Sequence, residues 1–170
     1  GEIATKQNVY LQKFHQTDFT HVQNDHELYN FAVAGGAAAF KNNCVACHGT
    51  GAAGRKGYPN LNDDDWLWGG KIDDIYKTIQ YGIRSGHEET RTSQMPAFGK
   101  DGLLKQDQIA KVADYVLTLS GHPKTATYDE GAQIFSQNCV SCHGAEGKGG
   151  RDFGAPNLTD SIWVYGGDRK

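Results

Sequence analysis

All four cysteines of this 170-residue chain fall into one pattern, Cys-x-x-Cys-His, which occurs as "CVACH" at 44–48 and again as "CVSCH" at 139–143. Two thiols three positions apart on one tight turn can form thioethers to the two vinyl groups of a porphyrin. The adjacent histidine is then set beneath the iron with Nε2 as a ligand. The spacing therefore reads as covalent attachment of two haems c. Cys44, Cys47, Cys139 and Cys142 are the attachment residues, and His48 and His143 the iron ligands. Two other chemistries use paired cysteines. Zinc binds such pairs, although pairs this far apart, each followed by His, are an unusual way to build a zinc site. A thioredoxin-like redox pair sits in a βαβ setting, and no such pattern surrounds either motif.

A six-coordinate haem needs a second axial ligand. The chain has one methionine, Met95, in "SQMPAFG", 47 residues after His48. A thioether is a soft, neutral ligand that favours reduced iron and raises the potential. Pro96 disfavours helix at Met95 and keeps it extended, which suits a loop residue reaching inward; the competing role is a flexible core filler. No methionine follows His143. By the spacing of the first motif it would lie near position 190 or beyond, so the second site is expected to be incomplete in this chain. A histidine of this chain, a ligand from a neighbouring molecule, or an open five-coordinate iron are the other possibilities. No residue is expected to be catalytic.

These motifs sit in an internal repeat. "GGAAAFKNNCVACHG" at 35–49 matches "EGAQIFSQNCVSCHG" at 130–144, with an offset of 95 at Gly36/Gly131, Phe40/Phe135 and Asn43/Asn138. "PNLNDDDWLWGG" at 59–70 matches "PNLTDSIWVYGG" at 156–167 with an offset of 97, a two-residue insertion in the second Gly-rich loop. A helix is expected over roughly 26–43, ending at the first motif. Ile72, Ile75, Tyr76 and Ile79 share a helical face within 71–83, and Ile109, Val112, Ala113, Val116 and Leu117 share one within 105–121, closed by Gly121 with Pro123 beyond. No alternating strand pattern is evident. The expected class is all-α with long loops, which a porphyrin would give an apolar surface to pack on.

Composition agrees with a cofactor-dependent fold. The chain is 38% hydrophobic and carries 22 glycines, with a mean hydropathy of −0.62. Small cores of this kind usually need a staple or a large prosthetic group. A net charge of −3 without a basic run speaks against a nucleic-acid partner. The longest apolar stretch, "FAVAGGAAAF", has ten residues, short of the ~18 that a membrane span needs.

The order of elements looks like two tandem class I cytochrome c domains, the second incomplete. The expected organisation is a linker over 1–28, leading to a membrane anchor outside this sequence, a first domain over 29–121, a linker over 122–128, and the N-terminal part of a second domain over 129–170. In that family a Gly/aromatic pair on the first helix packs against an aromatic on the last. Gly36 and Phe40 match the pair, and Tyr115 the partner. The carbonyl of a proline, here Pro59 and Pro156, accepts from Nδ1 of the haem histidine. Trp66, Trp68, Arg55 and Arg84 are candidates for contact with the porphyrin or its propionates. His15, His21, His26, His87 and His122 read as surface residues.

More specifically, "PNLNDDDWLWGG", "YGIRSGHEETRTSQMPAFG" and the second "CVSCHGAEGKGGRDFGAPNLTDSIWVYGGD" resemble the periplasmic part of the dihaem subunit of cbb3-type cytochrome c oxidase (the CcoP/FixP family) over about residues 29–168. The resemblance implies that Cys44, Cys47, His48 and Met95 serve one haem, and Cys139, Cys142 and His143 the other. It implies a dihaem subunit that is not an enzyme by itself. Such a subunit takes single electrons from a donor cytochrome c or the bc1 complex and passes them, through a monohaem subunit, toward the oxygen-reducing haem–copper centre of the catalytic subunit. The site would be the periplasmic side of the inner membrane of a Gram-negative bacterium. A free soluble dihaem cytochrome of the c4 type, or a haem protein whose open second site binds gas or peroxide, are the alternatives.

Overall fold

The computed structural model describes residues 2–168. Helix is the only regular structure among them apart from three isolated β-bridges. The backbone divides into two compact units, one ending at Asn60 and one beginning at Leu61. The sequence repeat instead places the boundary between copies at 122–128. The two divisions record different things: the repeat marks matching copies, and the units mark which helices pack together.

The first unit holds α1 (Glu2–His15), α2 (Phe19–Asn24), α3 (His26–Asn43) and the one-turn α4 (Val45–His48). Much of the stretch expected as linker is thus helical, and polar caps explain why. The Asp18 carboxylate accepts from the Thr20 N–H at 2.8 Å and starts α2. Asp25 then serves two helices. Its N–H donates to the carbonyls of His21 and Val22 at the end of α2, and its side chain accepts from the Leu28 N–H at 3.0 Å to start α3. α1 is held to α3 by the stacked rings of Tyr10 and Phe31, 5.5 Å apart, by Tyr10 Oη donating to Glu27 at 2.9 Å, and by the Lys13–Asp25 ion pair. Val22 and fully buried Leu28 form the small apolar centre of this unit.

The second unit holds α5 (Ile72–Tyr81), α6 (Gln106–Leu119), α7 (Tyr128–Asn138) and the one-turn α8 (Val140–His143). α6 begins where the Gln108 side chain accepts from the Lys105 N–H at 2.9 Å. It ends with the His122 N–H reaching back to the Leu117 carbonyl and Gly121 at φ +94°, a turn that glycine makes without strain. The short connection that follows lets α6 and α7 pack side by side, and this packing corrects the expected partner of Tyr115. Its ring lies 5.3 Å from Phe135, and buried Gly131 sits so close to α6 that a Cβ there would meet Tyr115 Cβ at 2.8 Å. Gly36 and its neighbour Gly35, by contrast, are exposed with no atom within 4 Å of such a Cβ. The repeat gives α7 the same Gly/Phe surface as α3. Only α7 adds an acid beside it: Glu130 pairs with Lys111 of α6, where α3 has Gly35 at the matching position.

The "WGG" and "YGG" signatures also acquire a reason. A Cβ on Gly70 would fall 2.3 Å from Trp66, and one on Gly167 would fall 2.7 Å from Trp163. In each repeat the indole lies directly over the second glycine, which leaves no room for a side chain. Trp68 makes a similar approach to Gly154, where a Cβ would sit 2.2 Å from its ring.

Candidate haem-attachment sites

Each Cys-x-x-Cys-His motif forms a single helical turn continuing from a longer helix. The Cys44 N–H donates to the Phe40 carbonyl and the Cys139 N–H to the Phe135 carbonyl, both at 2.8 Å. The His48 N–H and His143 N–H close their turns on Cys44 and Cys139 at 2.9 Å. Backbone angles at the first cysteine agree to within a degree, φ −115° at Cys44 and −116° at Cys139. One turn therefore presents both thiols and the imidazole together, twice over. The four cysteines are not joined in disulfides. Burial pushes the Cys139 thiol above its ordinary pKa, with Cys142 adding to the shift.

The imidazoles are oriented alike. His48 Nδ1 lies 3.0 Å from the Pro59 carbonyl and His143 Nδ1 lies 3.0 Å from the Pro156 carbonyl. A carbonyl only accepts, so Nδ1 carries the proton in both rings. The lone pair is then on Nε2, the form needed to bind iron, and the hydrogen bond raises the basicity of that nitrogen. His143 is buried at 7% exposure.

Two glycines that the motif reading passed over make this geometry possible. The Gly54 N–H donates to the His48 carbonyl at 2.9 Å, and the Gly149 N–H to the His143 carbonyl at 2.8 Å. Their φ values are +73° and +82°, and a Cβ on either would lie 2.7 Å from the carbonyl carbon of Pro59 or Pro156. The loop can fold the proline carbonyl onto the imidazole only because these positions lack a side chain. Their signal was present in the repeat, which aligns Gly54 with Gly149 at the same offset as the cysteines.

The donor set fits a haem c at both places: two adjacent thiols, an imidazole with its Nε2 lone pair free, and a backbone partner for Nδ1. Zinc gains no support, because no group of three or more His, Cys, Asp or Glu side chains gathers among the described residues. The other sequence candidates separate by role. Arg55 is turned to the backbone, donating to the Ala46 carbonyl at 2.7 Å, and lies over the Tyr58 ring. Arg84 donates to the Ser93 carbonyl at 3.0 Å. Trp66 and Trp68 pack on glycines, as described above. His15, His21, His26, His87 and His122 are all exposed. Met95 is 66% exposed, on a loop of the second unit.

An all-helical chain with two such motifs, each followed by a proline-held imidazole, defines a tandem class I cytochrome c with two covalent haems. A family model described as cytochrome C oxidase, cbb3-type, subunit III matches residues 31–116, and one described as cytochrome c matches 128–170. The chain belongs to the subunit III family of cbb3-type cytochrome c oxidases. Among similar proteins, the cbb3-type cytochrome c oxidase subunit FixP of a Bradyrhizobium species is 57% identical over 149 residues, covering 86% of this chain and 51% of that one. The subunit CcoP of Cereibacter sphaeroides is 55% identical over 160 residues, covering 93% and 55%. The subunit CcoP of an Azospirillum species is 46% identical over 178 residues, covering 99% and 60%. The chain thus spans about half the length of the curated relatives it matches.

Proposed function

We propose that this chain is the dihaem electron-transfer part of a cbb3-type oxidase subunit. It would act on the periplasmic side of a Gram-negative inner membrane. His48 and Met95 would hold the iron of the first haem, and His143 that of the second. Bound haem c supplies a one-electron Fe(III)/Fe(II) couple. The chain's own residues attach it, fix the imidazole through Pro59 or Pro156, and, through the Met95 thioether, favour the reduced form at the first haem. Single electrons arrive from a donor cytochrome c or the bc1 complex. They leave for the monohaem subunit, on the way to the haem–copper centre of the catalytic subunit. The observation that carries this reading is the duplicated imidazole–proline geometry, with Nδ1 to carbonyl at 3.0 Å in both repeats. It is set in a chain whose relatives are named as cbb3 oxidase subunits.

Met95 belongs to the unit beginning at Leu61, and His48 to the unit ending at Asn60. Its assignment to the first haem rests on its spacing after His48 and on the family pattern. The test is a redox titration of wild type and Met95→Ala, each with and without Cys139→Ala/Cys142→Ala to remove the second haem. Two reversible one-electron couples are expected in wild type. In the protein with only the first haem, Met95→Ala should lower the potential and open the reduced iron to CO. An unchanged potential there would remove Met95 from the first haem. Peroxide turnover in place of electron exchange with a donor cytochrome c would overturn the transfer reading as a whole.

A further inference from the structure

The loop that carries Met95 is tied down by two arginines, neither of which forms an ion pair among the described residues. Arg91 turns its guanidinium back onto α5 and the segment before it. Its Nη2 donates to the Asp74 carbonyl at 3.2 Å and to the Trp68 carbonyl at 3.5 Å, and its Nε to Thr78 Oγ1 at 3.4 Å. The same guanidinium lies 5.4 Å from the Trp68 ring centre. The Arg91 backbone closes the loop at its base: its N–H donates to the Gly82 carbonyl at 3.0 Å and its carbonyl accepts from the Arg84 N–H at 2.7 Å. Arg84, held at φ +53°, then reaches forward to the Ser93 carbonyl at 3.0 Å. Only Gln94 separates that anchored residue from Met95.

We infer that Arg91 and Arg84 form a clamp that positions Met95 for iron, and so help set how strongly the thioether competes with other ligands. This rests on the reading of Met95 as an axial ligand. A thioether held by its own chain binds as an intramolecular ligand, with an effective concentration that falls as the tether lengthens. From the anchored Ser93, the Met95 Cα can range at most ~7 Å, at about 3.5 Å per residue. With the Arg84 side chain released, the tether runs back to Arg91, whose backbone bonds to Gly82 and Arg84 remain, and the reach roughly doubles, to ~14 Å. The guanidinium suits this task because it is planar, always charged and rich in directed donors, so that one group can reach two carbonyls and a hydroxyl. A lysine ammonium keeps the charge and cannot reproduce that fork. The positioning role therefore separates from a plain charge effect on the potential.

The experiment is an imidazole titration of the ferric dihaem protein, paired with a CO titration of the reduced protein, on wild type, Met95→Ala, Arg91→Lys and Arg84→Gln. Haem content and far-UV circular dichroism confirm that each variant is folded. The phase of the titration that Met95→Ala alters defines the Met-linked haem. Arg84→Gln, which lengthens the tether from two residues to four, should tighten imidazole binding in that phase about two- to threefold, and Arg91→Lys, which loosens the base of the loop while leaving the Ser93 anchor, by a smaller factor. If Met95→Ala shifts the titration and both arginine variants match wild type, the clamp is overturned while Met95 stands as a ligand. If Met95→Ala itself matches wild type, Met95 is not a ligand, and the clamp has nothing to position. Should Arg91→Lys fail to fold, Arg84→Gln, at an exposed position with its side chain on the Ser93 carbonyl, carries the same decision.

Discussion

At the scale of single residues, the orientation of His48 and His143 depends on atoms that are not there. Gly54 and Gly149 combine a left-handed φ with a backbone approach that a methyl group would block. Gly54→Ala and Gly149→Ala should each destabilise their own repeat by about 1–3 kcal/mol, from strain at a φ that L-residues resist and from the displaced proline carbonyl. Thermal melting of each variant with haem attached would show the loss, and the potential of the affected haem alone should move, since its imidazole loses a hydrogen bond. Equal shifts at both haems would contradict that locality. The two Cys-x-x-Cys-His turns were legible in the sequence because their spacing is fixed and repeated. Gly54 and Gly149 were legible only through the repeat. Arg91 was not legible at all, because its partners are two backbone carbonyls, a hydroxyl and an indole far apart in sequence, which no local pattern records.

At the scale of elements, helices with amphipathic runs were readable. The helices expected over 26–43, 71–83 and 105–121 are observed as His26–Asn43, Ile72–Tyr81 and Gln106–Leu119. α1 and α2 were not, because α1 buries none of its residues and α2 is only six residues long, and their order comes from caps, the Tyr10–Phe31 stack and an ion pair. Asp25 is the hinge of that arrangement. The Lys13 ammonium and then the Leu28 N–H hold its carboxyl below the ordinary carboxylate pKa, and Asp25 in turn raises Lys13. A depressed folded-state pKa means that Asp25 stabilises the first unit fully above its unfolded value of about 3.9, with the contribution lost as pH falls through the lower folded value. For Lys13 the sign is opposite: its contribution is complete below about 10.4 and lost as pH rises through the raised value. Asp25→Asn keeps a capping side chain and removes the charge. Its melting temperature should therefore sit below wild type across neutral pH and converge with it in strong acid. A constant gap at every pH would assign the effect to the cap instead of the ion pair. The α6–α7 contact was misassigned from sequence because the two Gly/aromatic surfaces are near-duplicates, distinguished by Glu130 and buried Ile134, where α3 has Gly35 and Ala39. Gly131→Val should cost about 1–3 kcal/mol by overpacking this contact, whereas Gly36→Val should cost much less; denaturant unfolding of the two variants separates them.

At the scale of the whole molecule, the protein part has little apolar interior of its own. The buried hydrophobic side chains among the described residues are Val22, Leu28, Ile134 and Phe135. Meanwhile the face of α5 that the sequence made apolar stays largely open, with Ile79 at 79% and Tyr76 at 49% exposure. Burial contributes roughly 25 cal/mol per Å² of apolar surface, so four buried side chains do not offset the conformational entropy of a chain this long. The porphyrins fit as the missing apolar surface, and their attachment should be part of the folding free energy instead of an addition to a finished fold. Replacing all four cysteines with serine, so that no haem is attached, should therefore cut the helical signal sharply and lower the melting midpoint by roughly 10 °C or more, or abolish a cooperative transition altogether. The loss should be heaviest in α5 and least in α1–α3, where Leu28 and the Asp25 cap give local order. Hydrogen exchange read peptide by peptide would show that ranking. A haem-free protein with wild-type helicity and a cooperative melt would mean that the open face of α5 is stable in water, and that haem attachment follows folding without driving it.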